Sequence, residues 1–263
     1  MTLVIKIVFL ALFGIFLLNI VMVHGATKIL RRRFLANIRK SGYVCLTFDD
    51  GPNPVSTPKI LQILRQEGIK ATFFLTGENV EKNPDIASQI VNEGHEIGQH
   101  GHCHIHPWKC WPLHSLTDLI KGSHTIRQHV PYEKPLLLRP PYGKFTLITL
   151  SYVLFTRKQL AFWDIDPQDY NPQSANTIVK HVMTRISAYT TILLHDGRYG
   201  HDVTTNATVS AVSGILMEAK KHGIAFATVS EALRDSRRKK LRTGEVRESR
   251  NKQRHDNYQY HPS

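Results

Sequence analysis

Tyr43-Val44-Cys45-Leu46-Thr47-Phe48-Asp49-Asp50-Gly51 is the stretch on which the fold turns. Its first part, Tyr43–Phe48, is an apolar run of the length and residue type of a buried strand. Two adjacent carboxylates, Asp49 and Asp50, then stand at its end. Paired acids at a strand terminus are costly unless a cation or an arginine compensates them. One can bind a metal while the other acts as a base. An Asp-Gly pair is also a common solvated turn, and this stretch alone leaves both readings open.

Working outward, the chain alternates strands and helices. Ser56-Thr57-Pro58 predicts a helix start, with a hydroxyl cap and proline in the first turn. Ile60, Leu61, Ile63 and Leu64 supply its apolar face, and Gly68 stops it. Ala71–Leu75 reads as the next strand. Asn83-Pro84 caps another helix that Gly94 ends. Leu136–Leu138, Leu160–Trp163, Thr191–Leu194 and Ile224–Phe226 are further strands. Helices are expected over roughly 115–129, 174–188 and 205–221. This alternation predicts an α/β fold with a parallel sheet covered by helices, open or closed into a barrel. No linker divides the stretch, so residues 42–233 form one domain.

The charge lies outside that domain. The chain of 263 residues carries a net charge of +13. Residues 1–40 hold seven Lys/Arg and no acid, and residues 234–263 hold ten against four acids. The middle, 41–233, balances 17 basic against 17 acidic residues. A nucleic-acid-binding core carries its own basic stripe, and this neutral core predicts no specific nucleic-acid partner. Residues 234–263 read as a basic, disordered tail.

Ile7–Val23 contains no charged residue. Residues 1–27 are therefore expected to be a single-pass transmembrane anchor, with a cleaved signal segment and a secreted product as the rival reading. Residues 28–41 form a basic linker. Lys28, Arg31, Arg32, Arg33, Arg39 and Lys40 follow the span closely. The positive-inside rule would place the domain in the cytoplasm, while basic contact with anionic head groups is the alternative. Of the three cysteines, Cys45 reads as a buried small residue. Cys103 and Cys110 read as free thiols, or as a pair in an oxidising compartment.

The polar residues at the strand ends carry the chemistry. Parallel α/β enzymes build their sites there. After Asp49-Asp50 comes a histidine cluster, His100, His102, His104 and His106. Histidine is the commonest metal ligand, and one metal takes two or three from the protein. Arg139-Pro140-Pro141-Tyr142-Gly143 follows Leu136–Leu138 and can hold Arg139 rigidly against a carboxylate. Trp163-Asp164-Ile165-Asp166-Pro167-Gln168-Asp169-Tyr170 sets three acids between aromatics. Leu193-Leu194-His195-Asp196-Gly197 ends a buried strand on a histidine suited to acid–base work.

These five motifs in this order resemble the polysaccharide deacetylase family, carbohydrate esterases with a NodB-type homology domain. The resemblance covers about Gly42 to Leu233. It implies a distorted (β/α) barrel of about seven parallel strands. It implies Asp50, His100 and His104 as ligands of a divalent metal, most commonly Zn2+. Asp49 would be the catalytic base, oriented by Arg139. His195 would be the catalytic acid, tuned by Asp169. Tyr142 would lend its backbone N–H to the oxyanion, Tyr170 would line a sugar groove, and Leu193 would contact the acetyl methyl. The implied reaction is removal of N-acetyl groups from an N-acetylhexosamine-containing polysaccharide or glycoconjugate.

Two positions depart from the pattern. Gly101 stands where the family usually has Ser or Thr, so a loop-stabilising hydrogen bond is expected to be missing. Tyr170 stands where Trp is usual, which alters the groove more than the chemistry. His102, His106 and Cys103 remain alternative ligands. A non-catalytic carbohydrate-binding module on the same fold, and a deacylase of a lipid-linked sugar or O-acetyl ester, are the rival functions. Family members that act on cell walls work outside the cell, which favours an extracytoplasmic domain against the charge rule.

Overall fold

Strands β1 (Cys45–Asp49), β2 (Thr72–Leu75), β3 (Glu96–Gln99), β4 (Leu137–Leu138) and β5 (Thr191–His195) form one sheet in the order β4-β3-β2-β1-β5. Every pairing is parallel. The computed structural model describes residues 2–187, 189–197 and 206–241; positions 2–4, 11–16, 18 and 19 are described by backbone alone. Helices α2 (Ser56–Gln66), α3 (Gly77–Lys82), α4 (Pro84–Asn92), α5 (Pro112–His129), α6 (Leu147–Phe155), α7 (Ala175–Met183) and α8 (Asn206–Lys221) follow the strands. A further helix, α9, covers 229–241.

Strand alternation sends side chains to two cores. Leu46, Phe48, Phe73, Ile97 and Leu194 pack on one face with α2, α4, α7 and α8. Cys45, Phe74, Leu137 and Leu138 face the other way. Because all strands run in parallel, their C-terminal ends lie on one side. That edge presents Asp49, His100, Arg139 and His195 together.

The sheet has five strands where the resemblance implied about seven. Leu160–Trp163 and Ile224–Phe226, read as strands, make only single bridges, Leu138↔Leu160 and Val44↔Phe226. The first segment does something else. It bonds to β4 through Ala161 N–H to the Leu138 carbonyl (3.0 Å) and to β5 through Leu193 N–H to the Ile165 carbonyl (2.9 Å). A short segment crossing between the two edge strands keeps register with neither. Conversely, β3 was not read as a strand, because Glu96, Gly98 and Gln99 break the apolar pattern. Glu96 is tolerated in the interior because it accepts from Thr72 Oγ1 (2.8 Å) and the Ser230 N–H (3.2 Å).

Ser56 does not cap α2 as expected. The cap position is Val55, and Asn53 Oδ1 accepts the N–H groups of Val55 and Ser56 instead. The Ser56 and Thr57 hydroxyls are thereby free to hold Asp196, the residue after β5.

The expected N-terminal span is described only in part. Among the described residues, no helix is long and apolar enough to cross a membrane. Positions 11–16, 18 and 19 of the expected span lie outside the described side chains. From Val23 onward the apolar residues turn onto the domain. One helix, α1 (Thr2–Ser41), runs through both the expected anchor and the expected linker. Val23, Phe34 and Ile38 are buried in the second core, each such burial contributing about 1.5–3 kcal/mol. Phe34 meets Phe162 edge-on at 6.1 Å, and Arg31 Nη2 donates to the Trp163 carbonyl (2.8 Å). At the other end, 234–241 continue α9 where disorder was expected, and the rest of that tail, 242–263, lies outside the described residues.

Candidate active site

Register decides which side chains meet. Asp49 is the direct neighbour of His195 across the β1–β5 pairing. Gln99 pairs with Leu138 across β3–β4, so the following residues, His100 and Arg139, emerge side by side. Asp49, Asp50, His100, His104, Tyr142, Tyr170, Leu193 and His195 all line one open cleft of about 500 Å³.

Arg139 is fully buried behind Asp49. Its Nη1 donates to Asp49 Oδ1 (2.6 Å) and to Thr47 Oγ1 (2.9 Å), and Nη2 donates to the Phe162 carbonyl (3.3 Å). The guanidinium carbon sits 4.0 Å from the Phe74 ring centroid, which fixes its plane. Burial raises the Asp49 carboxyl above the ordinary range, and Arg139, followed by His195, pulls against it.

One group of side chains fits a cation. Asp50, His100 and His104 offer ligand atoms that all lie within 4.8 Å of one another, the one such group among the described residues. Asp50 Oδ1 is buried without a hydrogen-bond partner, a costly state that a cation would relieve. His100 Nδ1 lies 2.7 Å from the Arg139 carbonyl, which can only accept. That contact puts the proton on Nδ1 and leaves Nε2 as a lone pair facing Asp49 and Asp50. Burial, with His104 beside it, lowers His100 to about 3 and keeps the ring neutral. Asp50 and His104 both adopt positive φ, 72° and 49°, so the backbone is strained to aim them.

His195 forms the second pair. Its Nδ1 lies 2.8 Å from Asp169 Oδ1, and its own N–H donates to Asp169 Oδ2 (2.8 Å). Thr208 Oγ1 also donates to Asp169 Oδ2 (2.8 Å). Burial disfavours the charged ring, but Asp169, Asp50 and Asp49 outweigh it, and the imidazole is pushed up to about 10. Tyr170 stands edge-on to that ring at 5.1 Å. Leu193 is buried in the wall beside it. Tyr142 sits at φ 58° in a tight turn, Pro141–Gly143, at the cleft edge.

The alternative ligands lie elsewhere. His102 Nε2 is 3.9 Å from Glu81, and its ring lies against Gly77 of α3. His106 packs on the Tyr142 ring at 4.5 Å.

Thr47, Thr208 and Asp118 escaped sequence reasoning. Thr47 had a signal, since strand periodicity places it on the face of Asp49. The others come from distant helices. Asp118, on α5, accepts the N–H groups of His102 (3.1 Å) and Cys103 (2.7 Å). The loop bond that Gly101 cannot make is thus supplied from another element.

Known proteins resemble this chain in sequence and fold. A family model described as polysaccharide deacetylase matches residues 36–156. A peptidoglycan-N-acetylglucosamine deacetylase of Bacillus cereus is 38% identical over 197 residues, covering 73% of this chain and 88% of the relative. A chitooligosaccharide deacetylase of Bradyrhizobium is 33% identical over 199 residues, covering 73% and 91%. The crystal structure of the Bc1960 peptidoglycan N-acetylglucosamine deacetylase with 4-naphthalen-1-yl-N-oxidanyl-benzamide superposes with a TM-score of 0.67 at 34% identity, covering 73% and 87%. The chain belongs to the polysaccharide deacetylase family.

Proposed function

We propose that this chain is a metal-dependent hydrolase that removes N-acetyl groups from an N-acetylglucosamine-containing glycan. One observation carries the reading. Two buried ion pairs of opposite design, Asp49–Arg139 and His195–Asp169, face the same cleft as the Asp50/His100/His104 set. Arg139 favours the ionised form of Asp49, as a base requires. Asp169 favours the protonated form of His195, as an acid requires.

One carboxylate and two imidazoles with space beside them suit a catalytic zinc ion. When bound, such an ion supplies Lewis-acid polarisation of the amide carbonyl and of the attacking water. Asp49 takes the proton of the water as it adds to the carbonyl carbon. The Tyr142 N–H donates to the developing oxyanion. His195 hands its proton to the departing amine, the C–N bond breaks, and acetate is left. Leu193 offers an apolar contact to the methyl group. Tyr142, Trp163 and Tyr170 line the cleft with aromatic faces that suit sugar rings.

The peptidoglycan and chitooligosaccharide deacetylases among its relatives support the substrate class. For a cell-wall glycan we propose that the domain works outside the cytoplasm, which protease accessibility in intact cells would check. The function is tested by acetate release from N-acetylglucosamine oligomers, using the full chain in mild detergent with zinc. Release that stops on chelation and in Asp49→Asn is expected. Release that persists in Asp49→Asn would overturn the assignment.

A further inference from the structure

We infer that helix α1 builds a subsite for an anionic group, a carboxylate or phosphate, carried by the sugar chain beyond the reacting unit. This rests on the function proposed above. A second cavity, of about 360 Å³, adjoins the catalytic cleft and shares Tyr142, Lys144 and Trp163 with it. The two cavities meet at these three residues, the second extending the cleft toward the N-terminal helix. Its far wall is α1, through His24, Thr27, Lys28 and Arg31. Those four residues precede the segment matched by the family model, which begins at 36.

The wall is fixed in place. Val23 and Phe34 anchor α1 on either side of it, and Arg31 is tied to the Trp163 carbonyl at the groove itself. Gly143 keeps the passage open. It adopts φ 64°, and a Cβ there would lie 2.8 Å from Trp163 Cη2. Any side chain would push the indole into the groove.

The charge of the wall names the ligand. Lys28, Arg31 and Lys144 all line this cavity, and no Asp or Glu does. Lys144 is set by the Trp108 ring, 4.5 Å from its Nζ, and Trp108 is set by its own bond to the Phe145 carbonyl (2.9 Å). The field of Arg31 also reaches Asp164, which lies outside the cavity lining. A neutral oligosaccharide has no use for three cations along one wall. An anionic substituent gains from all of them, and the cleft walls limit screening.

The test compares three substrates on the full chain: an N-acetylglucosamine tetramer, a tetrasaccharide alternating N-acetylglucosamine with N-acetylmuramic acid bearing free lactyl carboxylates, and an N-acetylglucosamine oligomer with a terminal 1-phosphate. The wild type is expected to favour one of the anionic substrates in kcat/KM, and which one identifies the source of the anion. Lys28→Glu, at an exposed position, is expected to lower the anionic-to-neutral ratio about tenfold, with added salt narrowing the ratio more in the wild type than in the variant. Equal kcat/KM on all three substrates, or a ratio unmoved by Lys28→Glu, overturns the subsite. If the wild type hydrolyses none of them, the deacetylase reading fails on its own. Calorimetric binding of the two anionic oligosaccharides then decides the subsite: affinity lost in Lys28→Glu supports it, and affinity unchanged rejects it.

Discussion

The carboxylate of Asp118 occupies the space that a side chain on residue 101 would need, since a Cβ at Gly101 would collide with Asp118 Oδ2. The two residues form one device. Gly101, at φ 80°, lets α5 approach, and Asp118 then ties down the loop between His100 and His104. Asp118→Ala is expected to weaken zinc affinity about 10–100-fold, as loss of an orienting residue does. Gly101→Ser, which restores the residue usual in the family, is expected to do comparable harm here. Combining the two should cost less than their sum, because the collision disappears with Asp118. Competition with a chromophoric chelator measures all three.

Asp169 gives His195 both its orientation and its proton. Asp169→Asn keeps an acceptor for the His195 N–H and for Thr208, so the fold should survive. The charge that holds the ring protonated is lost. By analogy with other acid–histidine pairs, kcat is expected to fall about 10²–10⁴-fold. The alkaline limb of the kcat profile should move down by more than about one unit, because the wild-type ring is pushed up to about 10 and the variant ring is not. A fall in kcat with an unmoved alkaline limb would show that Asp169 acts only as scaffold.

The strand ends were legible in the sequence because chemistry concentrates there. Asp49, Asp50, Arg139 and His195 each close an apolar run, His100 and His104 stand out through the histidine cluster itself, and each reaches the cleft edge or its supporting layer. What escaped was long-range. Asp118 is a polar position on an amphipathic helix, and only the approach of α5 to Gly101, permitted by Gly122, gives it a role. Strand β3 was hidden because its stability comes from burying Glu96 with partners as distant as Ser230. The length of α1 was hidden because its second half is basic on the outside, and only Val23, Phe34 and Ile38 mark the face that packs.

Arg139 is the buried counter-charge of Asp49. Arg139→Met removes it while keeping much of the volume over Phe74. An uncompensated buried carboxylate costs about 3–5 kcal/mol, unless it takes up a proton. Asp49 already sits above the ordinary carboxylate range, so the variant should titrate higher still. The acid limb of kcat/KM is expected to rise by more than about one pH unit, with a matching loss in denaturant midpoint at neutral pH. Asp49→Asn placed in the Arg139→Met background should recover much of that midpoint. Failure to recover it would assign the loss to packing rather than charge.

The His195–Asp169 pair also predicts how the metal-free protein loses stability with pH. The ring binds its proton up to about pH 10 in the folded chain and releases it near 6.5 once unfolded. The folded state therefore holds more protons across that window, and stability must fall as pH rises through it. The contribution of the pair is complete below about 6.5 and is lost progressively as pH approaches 10. Denaturant titrations in chelator at pH 6, about 8 and 10 should show that decline in the wild type and a flatter one in His195→Asn, which cannot titrate. Zinc should flatten the wild-type curve too, because a cation on Asp50 removes part of the charge that raises the ring. An equal slope in the wild type and His195→Asn, both without metal, would mean that the ring is neutral at neutral pH. His195 could not then be the acid.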